Sequence, residues 1–262
     1  MQENLDQKKY IKLANKTIGI CHKKILEIGG CTMPDLFLEY APSAWICINL
    51  DKEAVSGFER RTKELAINNC SAYLQDIAIF NEKDAYDLLY SINCFEHVNK
   101  LDVAFEKMFQ SLKWGGYLFT VFGPIWSSDV GHHLSIPSDY GELIFSDNIL
   151  SPWEHLISTP EAIKIRLEKI YNEKTAETAV EYIFSYHDLN RLYEHEYMSI
   201  VKNSGFSPVI IYRKKRGKPP MVSGATNTRE FLMILKKGHV SQLERLLFLF
   251  KLGLAYFSYN FQ

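Results

Sequence analysis

Two glycines and an acid are the clearest candidates for contacts with a ligand. Each of them follows a short apolar run. Gly29 and Gly30 come directly after residues 25–28, and Asp51 ends the next apolar run, at residues 44–50. Glycine lets the backbone approach a bound ligand, and an acid at the tip of the neighbouring strand can accept hydrogen bonds from a ribose. This spacing predicts a site for a cofactor that contains a nucleoside.

A second group of candidates lies after residue 130, where six of the eight histidines are found. His132 and His133 come soon after the fifth predicted strand, at the edge where α/β sheets bind ligands. A histidine there can take a hydroxyl proton near neutral pH, so we expect His132 and His133 to be catalytic. We expect Trp126, Trp153 and His155 to contact the substrate.

A divalent metal is an alternative use of the same region. Asp129, His132, His133, Glu154 and His155 are all suitable ligand types. Adjacent histidines rarely point the same way, and the sequence does not bring the two segments together. A metal therefore stays open as an alternative, and no metal ligand is assigned.

The predicted strands and helices that must position these residues alternate regularly along the chain. Apolar strands are predicted at 25–28, 44–50, 71–74, 86–92 and 117–122, with amphipathic helices between them. The last of these helices is predicted at 101–112, and Gly115 and Gly116 are expected to follow its end. This alternation predicts a doubly wound α/β sheet that is mostly parallel, formed by a half spanning residues 1–123. We expect a helical substrate-binding insertion at 124–188, with helices at about 161–171 and 175–186. A return to the sheet at 189–237 is expected through a helix at 189–203 and an antiparallel hairpin, followed by an apolar helix at 238–262.

Composition limits the classes of function. The chain has 262 residues, 47% of them hydrophobic, with a formal net charge of -1. The charge gives no general reason to expect nucleic acid as a partner, and no apolar run is long enough to span a membrane. The five cysteines form no CxxC pair, and the N-terminus resembles no signal peptide, so we expect a cytoplasmic protein. The apolar C-terminal helix is expected to pack on the body, with a homodimer interface or contact with a membrane surface as alternatives.

Six motifs come in the order and spacing of a known family. They are Leu26-Glu27-Ile28-Gly29, Asp51, Asp76, Phe95-Glu96-His97-Val98, Leu112-Lys113-Trp114-Gly115-Gly116 and Ser204-Gly205-Phe206. Together they resemble the class I S-adenosylmethionine-dependent methyltransferases, closely over residues 22–123 and more loosely over 189–237. The resemblance implies a Rossmann-like fold with a seven-stranded sheet, and S-adenosylmethionine as the cofactor.

The resemblance also implies roles for single residues. Glu27, Gly29, Gly30 and Cys31 match the loop that approaches the methionine part of the cofactor. Asp51 matches the acid that binds the ribose hydroxyls. Asp76 with Ile77 resembles the position that reads the adenine, and Asn93 with Cys94 lies where the family closes the wall of the methyl-donor pocket. Glu96-His97 resembles the pair that follows that wall. A structural role explains these two residues as well as a functional one does.

The chain departs from the family in the loop of residues 29–33, the glycine loop, where Cys31 and Met33 replace two glycines. A dinucleotide enzyme needs a fuller glycine pattern to bind pyrophosphate, so the loss disfavours an NAD-dependent oxidoreductase more than a methyltransferase. An oxidoreductase and a non-catalytic module with this fold remain as alternatives. The run from Gly123 to His133 also resembles methyltransferases of bacterial surface-polysaccharide modification. That likeness implies O-methylation of a small polar acceptor, a sugar or a capsule phosphoramidate precursor.

Overall fold

The computed structural model describes residues 2–259, and side chains within that range except those of residues 2–6, 37–38 and 255–259. The chain forms nine strands and nine α-helices in the described part. The strands are β1 (Lys24–Ile28), β2 (Ala44–Asn49), β3 (Cys70–Leu74), β4 (Tyr86–Ile92), β5 (Leu112–Phe122), β6 (Ser135–Ser138), β7 (Gly141–Ile144), β8 (Ser207–Lys215) and β9 (Thr228–Lys236). The helices are α1 (Gln2–Thr17), α2 (Asp35–Leu38), α3 (Lys52–Glu64), α4 (Leu101–Ser111), α5 (Glu154–Ile157), α6 (Pro160–Glu168), α7 (Glu173–Ser185), α8 (Glu194–Asn203) and α9 (Gln242–Tyr259).

Seven strands form one sheet in the order β3-β2-β1-β4-β5-β9-β8. The first five are parallel, whereas β9 pairs antiparallel with both β5 and β8. The carboxyl ends of β1 to β5 therefore lie at one edge of the sheet. The predicted fold class is confirmed, including the antiparallel hairpin at the C-terminal end.

Apolar side chains cover both faces of the sheet, as the near-continuous apolar strands require. One cluster joins β4 and β5 to α4 and α8 and includes Phe95, Phe105 and Phe122. The other joins the opposite face to α1, α3 and α9 and includes Trp45 and Tyr90. The sheet edge that bears the candidate residues is thus fixed from two sides.

Two local expectations were wrong. Gly115 and Gly116 were expected to follow the end of a helix, but α4 ends at Ser111 and β5 already begins at Leu112. The pairing of β4 with β5 shifts register between Tyr86 and Leu88, and Gly115 adopts φ +86° inside the resulting bulge. The helix expected at 189–203 begins only at Glu194, because residues 187–190 run instead along the turn that follows β4.

The segment between β5 and α8 has an apolar cluster of its own. It contains α6 and α7, close to the two predicted helices, and an unpredicted hairpin of β6 and β7. Leu134 and Ile136 pack with Ile163, Leu167 and residues of α7. The assignment of residues 124–188 as a substrate-binding lid stays a prediction.

Helix α9 packs on the body through one face. Val240 just before the helix and Phe248 within it are buried, Glu244 pairs with Lys236, and Lys251 Nζ donates to Thr17 O at 3.0 Å. Large apolar side chains on its other face are exposed, namely Leu243, Leu246, Leu247, Leu249, Phe250 and Leu254. Residues 260–262 of the predicted helix lie outside the described part. No helix in the described part of the chain is both long and apolar enough to cross a membrane. The homodimer stays a prediction.

Candidate functional site

The glycine loop after β1 is held from beneath by Glu27. This carboxylate is buried and accepts hydrogen bonds from Thr32 N at 3.2 Å, Trp45 Nε1 at 3.0 Å and Cys47 Sγ at 3.0 Å, as well as from Thr32 Oγ1. Burial raises the pKa of the Glu27 carboxyl, against the hydrogen bonds from Thr32, Cys47 and Trp45, which lower it. Glu27 therefore fixes the loop's path, and its carboxylate is turned into the protein.

The loop is also tied to its two neighbouring strand ends. Asn49 Nδ2, at the end of β2, donates to Gly29 O at 3.3 Å and to Gly30 O at 3.2 Å. On the other side, Gly29 lies against Cys94, since a Cβ added to Gly29 would be 2.1 Å from Cys94 Sγ. Gly29 has φ +72°, so both its conformation and its surroundings require glycine. Gly29 is itself exposed, and Gly30 and Cys31 are half-buried.

Asp51 and Asp76 occupy equivalent places on adjacent strands. Asn49 of β2 is paired with Leu74 of β3, and each acid lies two residues further on. Asp51 Oδ1 caps α3 by accepting from Glu53 N at 2.8 Å, and Asp76 Oδ1 accepts from Ala78 N at 2.8 Å. In both cases the recorded bonds use one carboxylate oxygen. Asp51 is exposed, Asp76 is half-buried, and Ile77 is buried beneath the turn.

The tip of β4 places Asn93 and Cys94 beside the glycine loop. Asn93 is exposed, adopts φ +50°, and donates its backbone N–H to Val121 O at 2.8 Å. Cys94 is buried, and burial raises the pKa of its thiol to about 12. The Cys94 thiol is therefore protonated near neutral pH, and it packs against Gly29 of the glycine loop. Cys47 is buried too, and no disulfide joins any of the five cysteines.

The turn after Cys94 carries a buried acid, Glu96. Its Oε1 accepts from Gly123 N at 3.0 Å, at the end of β5, and its Oε2 has no hydrogen-bond partner. Burial raises the pKa of Glu96 to about 7. The turn is held by Asn190, whose N donates to Glu96 O at 3.0 Å and whose Nδ2 donates to Phe95 O at 2.6 Å and Val98 O at 3.1 Å.

His97 and His133 lie beside Glu96, with their ring centroids 5.3 Å apart. His97 Nδ1 is 2.8 Å from Asp188 O, and His133 Nδ1 is 3.1 Å from Gly131 O. A carbonyl only accepts, so each Nδ1 carries its proton and each Nε2 has a free lone pair in the neutral ring. Burial, with His97 nearby, lowers the pKa of His133 to about 3, so the ring is neutral. His97 is exposed.

His132 differs from its neighbour, and its hydrogen bonding does not support the expected role as a base. It is fully buried, and its Nδ1 accepts from Leu134 N at 3.2 Å, so the proton of the neutral ring is on Nε2. No lone pair remains to take a proton from an acceptor. Burial and the neighbouring His155 and His133 lower the pKa of His132 to about 3.

The expected substrate contacts, Trp126, Trp153 and His155, lie in the packed base of the insertion. Their exposed fractions are 7%, 5% and 3%. Trp153 Nε1 donates to Ser127 O at 3.2 Å and to Thr226 O at 3.1 Å, and His155 Nε2 is 2.8 Å from Trp126 O. Burial lowers the pKa of His155 to about 4. These contacts give the three side chains a packing role, and that they contact the substrate stays a prediction.

The metal ligands considered from sequence do not form a group of three that could hold an ion, although the ring centroids of His132 and His155 lie 5.5 Å apart. Asp129 pairs through both oxygens with Arg229, and Glu154 pairs with Arg166 at 2.7 Å. Among the described residues, the group of three ligand types close enough to hold an ion is a different one, Glu96, His97 and His133. Only His133 is common to both sets.

Comparisons with known proteins agree with this geometry. Residues 26–120 match the family model described as a methyltransferase domain. A protein of Listeria monocytogenes assigned as an S-adenosylmethionine-dependent methyltransferase superposes with a TM-score of 0.56 at 14% identity, covering 89% of this chain and 100% of that one. The fold is the Rossmann-like methyltransferase fold.

Two further structures support the same assignment of fold. An S-adenosylmethionine-dependent methyltransferase from Mesorhizobium loti gives a TM-score of 0.55 at 11% identity, covering 87% of this chain and 97% of that one. The geranyl diphosphate C-methyltransferase of Streptomyces coelicolor, solved with Mg²⁺, geranyl diphosphate and S-adenosyl-L-homocysteine, gives 0.55 at 14%, covering 90% and 80%. No functionally curated protein matches the chain. At these identities the likeness shows the fold alone.

Several residues that shape the site were missed from sequence. Asn49, Thr32 and Trp45 hold the glycine loop, and Asn190 holds the turn of Glu96. Asn49 had a readable signal, since it is a polar residue at the end of an apolar strand two positions before Asp51. Asn190 had none, because the carbonyls that it binds in this turn lie more than 90 residues earlier in the chain.

Proposed function

We propose that this protein transfers a methyl group from S-adenosylmethionine to a small polar acceptor. The observation that carries the proposal is the end of β2. There Asn49 binds both glycine carbonyls of the loop, and two residues later Asp51 presents an exposed carboxylate. One strand end thus links the loop that would lie along the methionine part of the cofactor to the acid that would bind its ribose.

The remaining cofactor contacts follow from the same sheet edge. Asp76 would accept from the adenine amino group, with Ile77 beneath the ring, and Asn93 and Cys94 would close the donor pocket. Cys31 would border the methionine part. Exposed apolar side chains follow the ends of β1, β2 and β3, namely Met33, Leu50 and Ile79, and they suit an aromatic base that needs apolar contact. Glu27 would act indirectly, by holding the loop.

Bound S-adenosylmethionine supplies an activated methyl group on a sulfonium. In the transfer the C–S bond breaks as a bond to the acceptor forms, and a hydroxyl acceptor also releases a proton. The protein holds donor and acceptor in line. It also accepts the released proton, or stabilises the charge that forms as the proton leaves. Glu96, His97 and His133 have free lone pairs at the adjacent ends of β4 and β5, so we assign acceptor activation to them in place of His132.

The acceptor class we propose is a sugar hydroxyl or a capsule phosphoramidate precursor, with O-methylation as the reaction. The support is the resemblance of the run from Gly123 to His133 to methyltransferases of surface-polysaccharide modification. The same run supplies His133 and the Gly123 N–H that holds Glu96. A matched panel of sugar nucleotides and simple glycosides, assayed for S-adenosylhomocysteine release, tests the class.

Cofactor binding tests the proposal directly. We expect S-adenosylmethionine and S-adenosylhomocysteine to raise the melting temperature, and NAD to leave it unchanged. Stabilisation by NAD alone would indicate an oxidoreductase, and stabilisation by none of the three would indicate a non-catalytic module. Either result would refute the proposal.

A single substitution tests the ribose contact. Asp51→Asn keeps a side chain that caps α3 but removes the charge. Losing charge-assisted hydrogen bonds worth about 1.5–3 kcal/mol should weaken S-adenosylhomocysteine binding about 10- to 100-fold by calorimetry. The exposed acid Glu59 on the same helix gives the matched control, Glu59→Gln, which should bind as the wild type does. Equal affinity in Asp51→Asn and the control would remove Asp51 from the site.

A further inference from the structure

The side chains of Glu96, His97 and His133 each offer a ligand atom, and these atoms all lie within 4.8 Å of one another. The three residues come from the turn after β4 and the loop after β5, at the sheet edge that carries the glycine loop. They are separate from the acids and histidines that the sequence suggested as metal ligands, His133 excepted.

Each side chain of this cluster already makes a hydrogen bond with one of its polar atoms, and this decides which atom keeps a free lone pair. His97 and His133 each direct Nδ1 at a backbone carbonyl, which leaves Nε2 as the lone-pair nitrogen. Glu96 uses Oε1 for the Gly123 N–H, which leaves Oε2. Both His133 Nε2 and Glu96 Oε2 are buried without a hydrogen-bond partner. Metal-bound histidines characteristically donate their other ring N–H in this way.

Buried polar atoms without partners are costly, so two in one small cluster call for an explanation. Among the described side chains, no lysine or arginine pairs with Glu96, and its neighbours in the cluster are acceptors at the free positions. The three residues thus offer lone pairs within 4.8 Å of one another, and two of these are buried without a donor in the described part of the chain. A cation there would satisfy all three at once.

The backbone fixes the cluster before any ligand arrives. Asn190 binds the carbonyls of Phe95, Glu96 and Val98, so the turn bearing Glu96 and His97 is rigid. His133 has φ +50° in a tight loop, and a Cβ on neighbouring Gly131 would lie 2.2 Å from Ile125 O. Ligand atoms of a tetrahedral site with bonds of about 2.1 Å are about 3.4 Å apart, so closure needs inward shifts of roughly 1 Å. The exposed His97 ring has room to make them.

We propose that Glu96, His97 and His133 form a binding site for a divalent transition metal of the Zn²⁺ or Fe²⁺ type. Two imidazoles and one carboxylate suit these ions, whereas Mg²⁺ and Ca²⁺ prefer oxygen ligands. Three protein ligands leave coordination positions open on the side of His97, which is exposed. If the proposed methyl transfer is correct, an acceptor oxygen would take an open position, and the metal would favour loss of its proton.

Metal binding by the chelator-treated full chain tests the site without any assay of turnover. We expect one Co²⁺ per chain with visible absorption bands, displaced by Zn²⁺, and one Fe²⁺ under anaerobic conditions, with Mg²⁺ far weaker. His97→Ala, which removes an exposed side chain, should weaken Zn²⁺ and Co²⁺ binding at least tenfold, as should the isosteric Glu96→Gln. His195→Ala, another exposed histidine, should bind as the wild type does.

The outcomes separate this inference from the proposed function. No Co²⁺ or Zn²⁺ binding by the wild type, or equal binding by His97→Ala and His195→Ala, would overturn the metal site. The melting curve of each sample, recorded with and without S-adenosylhomocysteine, shows whether the variant is folded and, separately, whether it binds the ligand. Metal binding without any cofactor binding would keep the metal site and refute the methyltransferase. Full methyl transfer by His97→Ala in the presence of chelator would remove the metal's part in catalysis.

Discussion

Gly29 gives the sharpest test of how the glycine loop works, because the chain contains a matched control. Gly29→Ala puts a methyl group on a residue with φ +72° that faces Cys94 at the tip of β4. Gly19→Ala puts the same group on a residue with φ +85° that has nothing within 4 Å of the new Cβ. The two substitutions share the backbone strain and differ in the contact.

The expected difference can be worked out from the structure. The left-handed conformation costs an alanine about 1–2 kcal/mol, and both variants bear this cost. In Gly29→Ala the new Cβ would also lie 2.1 Å from Cys94 Sγ and 2.7 Å from Cys94 Cβ. Overpacking of this kind costs about 1–3 kcal/mol, which corresponds to roughly 2–12 °C in melting temperature for a chain of this size.

Thermal unfolding and calorimetric titration with S-adenosylhomocysteine measure the two effects. Gly19→Ala should lose a few degrees and bind the ligand as the wild type does. Gly29→Ala should melt lower still and bind at least tenfold more weakly, because the loop and the wall at Cys94 are pushed apart. In the double variant Gly29→Ala with Cys94→Gly, the new methyl group takes the space of the removed thiol. Part of both losses should then return.

Gly29→Ala and Gly19→Ala could also show equal melting temperatures, with ligand affinity kept in both. That result would show that the glycine loop moves to accommodate the methyl group without loss of stability or affinity. A double variant no better than Gly29→Ala would show that Cys94 is not what the methyl group meets. Either result would contradict the reasoning that the β1 loop and the β4 tip form one closed wall.

Three other substitutions have expected outcomes. Glu27→Ala removes the acceptor of bonds from Thr32, Trp45 and Cys47, so it should lower the free energy of unfolding in urea by about 2–4 kcal/mol, and a mutant as stable as wild type would contradict this. Burial acts to raise the pKa of Glu194, but hydrogen bonds from Thr226 and Arg213 outweigh it and lower the pKa. Stability from this acid is therefore present above its unfolded pKa of about 4.5 and is lost as pH falls through the folded value, so Glu194→Gln should cost about 1–3 kcal/mol at pH 7 and little at pH 3. A cost that does not change with pH would exclude the charge as its origin. Asn190→Ala keeps every proposed metal ligand but frees the turn, so Co²⁺ affinity should fall about tenfold, and unchanged affinity would show that the turn is rigid without it.

The sheet could be predicted because its signals are local. Each parallel strand is a short apolar run, and the position after the run is the carboxyl end, so counting along the chain placed Gly29, Asp51, Asp76 and Asn93 at one edge. The bulge at Gly115 could not be read in this way. It depends on a bond from Gly115 N to Lys237 O, which joins β5 to the end of β9, 122 residues later in the chain.

The histidines show why residue type alone did not identify the reactive group. His132 and His133 are adjacent, both are buried, and burial lowers the pKa of each to about 3. They differ in one hydrogen bond, since Leu134 N donates to His132 whereas Gly131 O accepts from His133. That difference places the ring proton on opposite nitrogens, so of the two only His133, which lies in the cluster with Glu96 and His97, keeps a free lone pair. The chemistry of this pair is therefore decided by the backbone around it, and the histidine pattern in the sequence indicated the region without indicating the group.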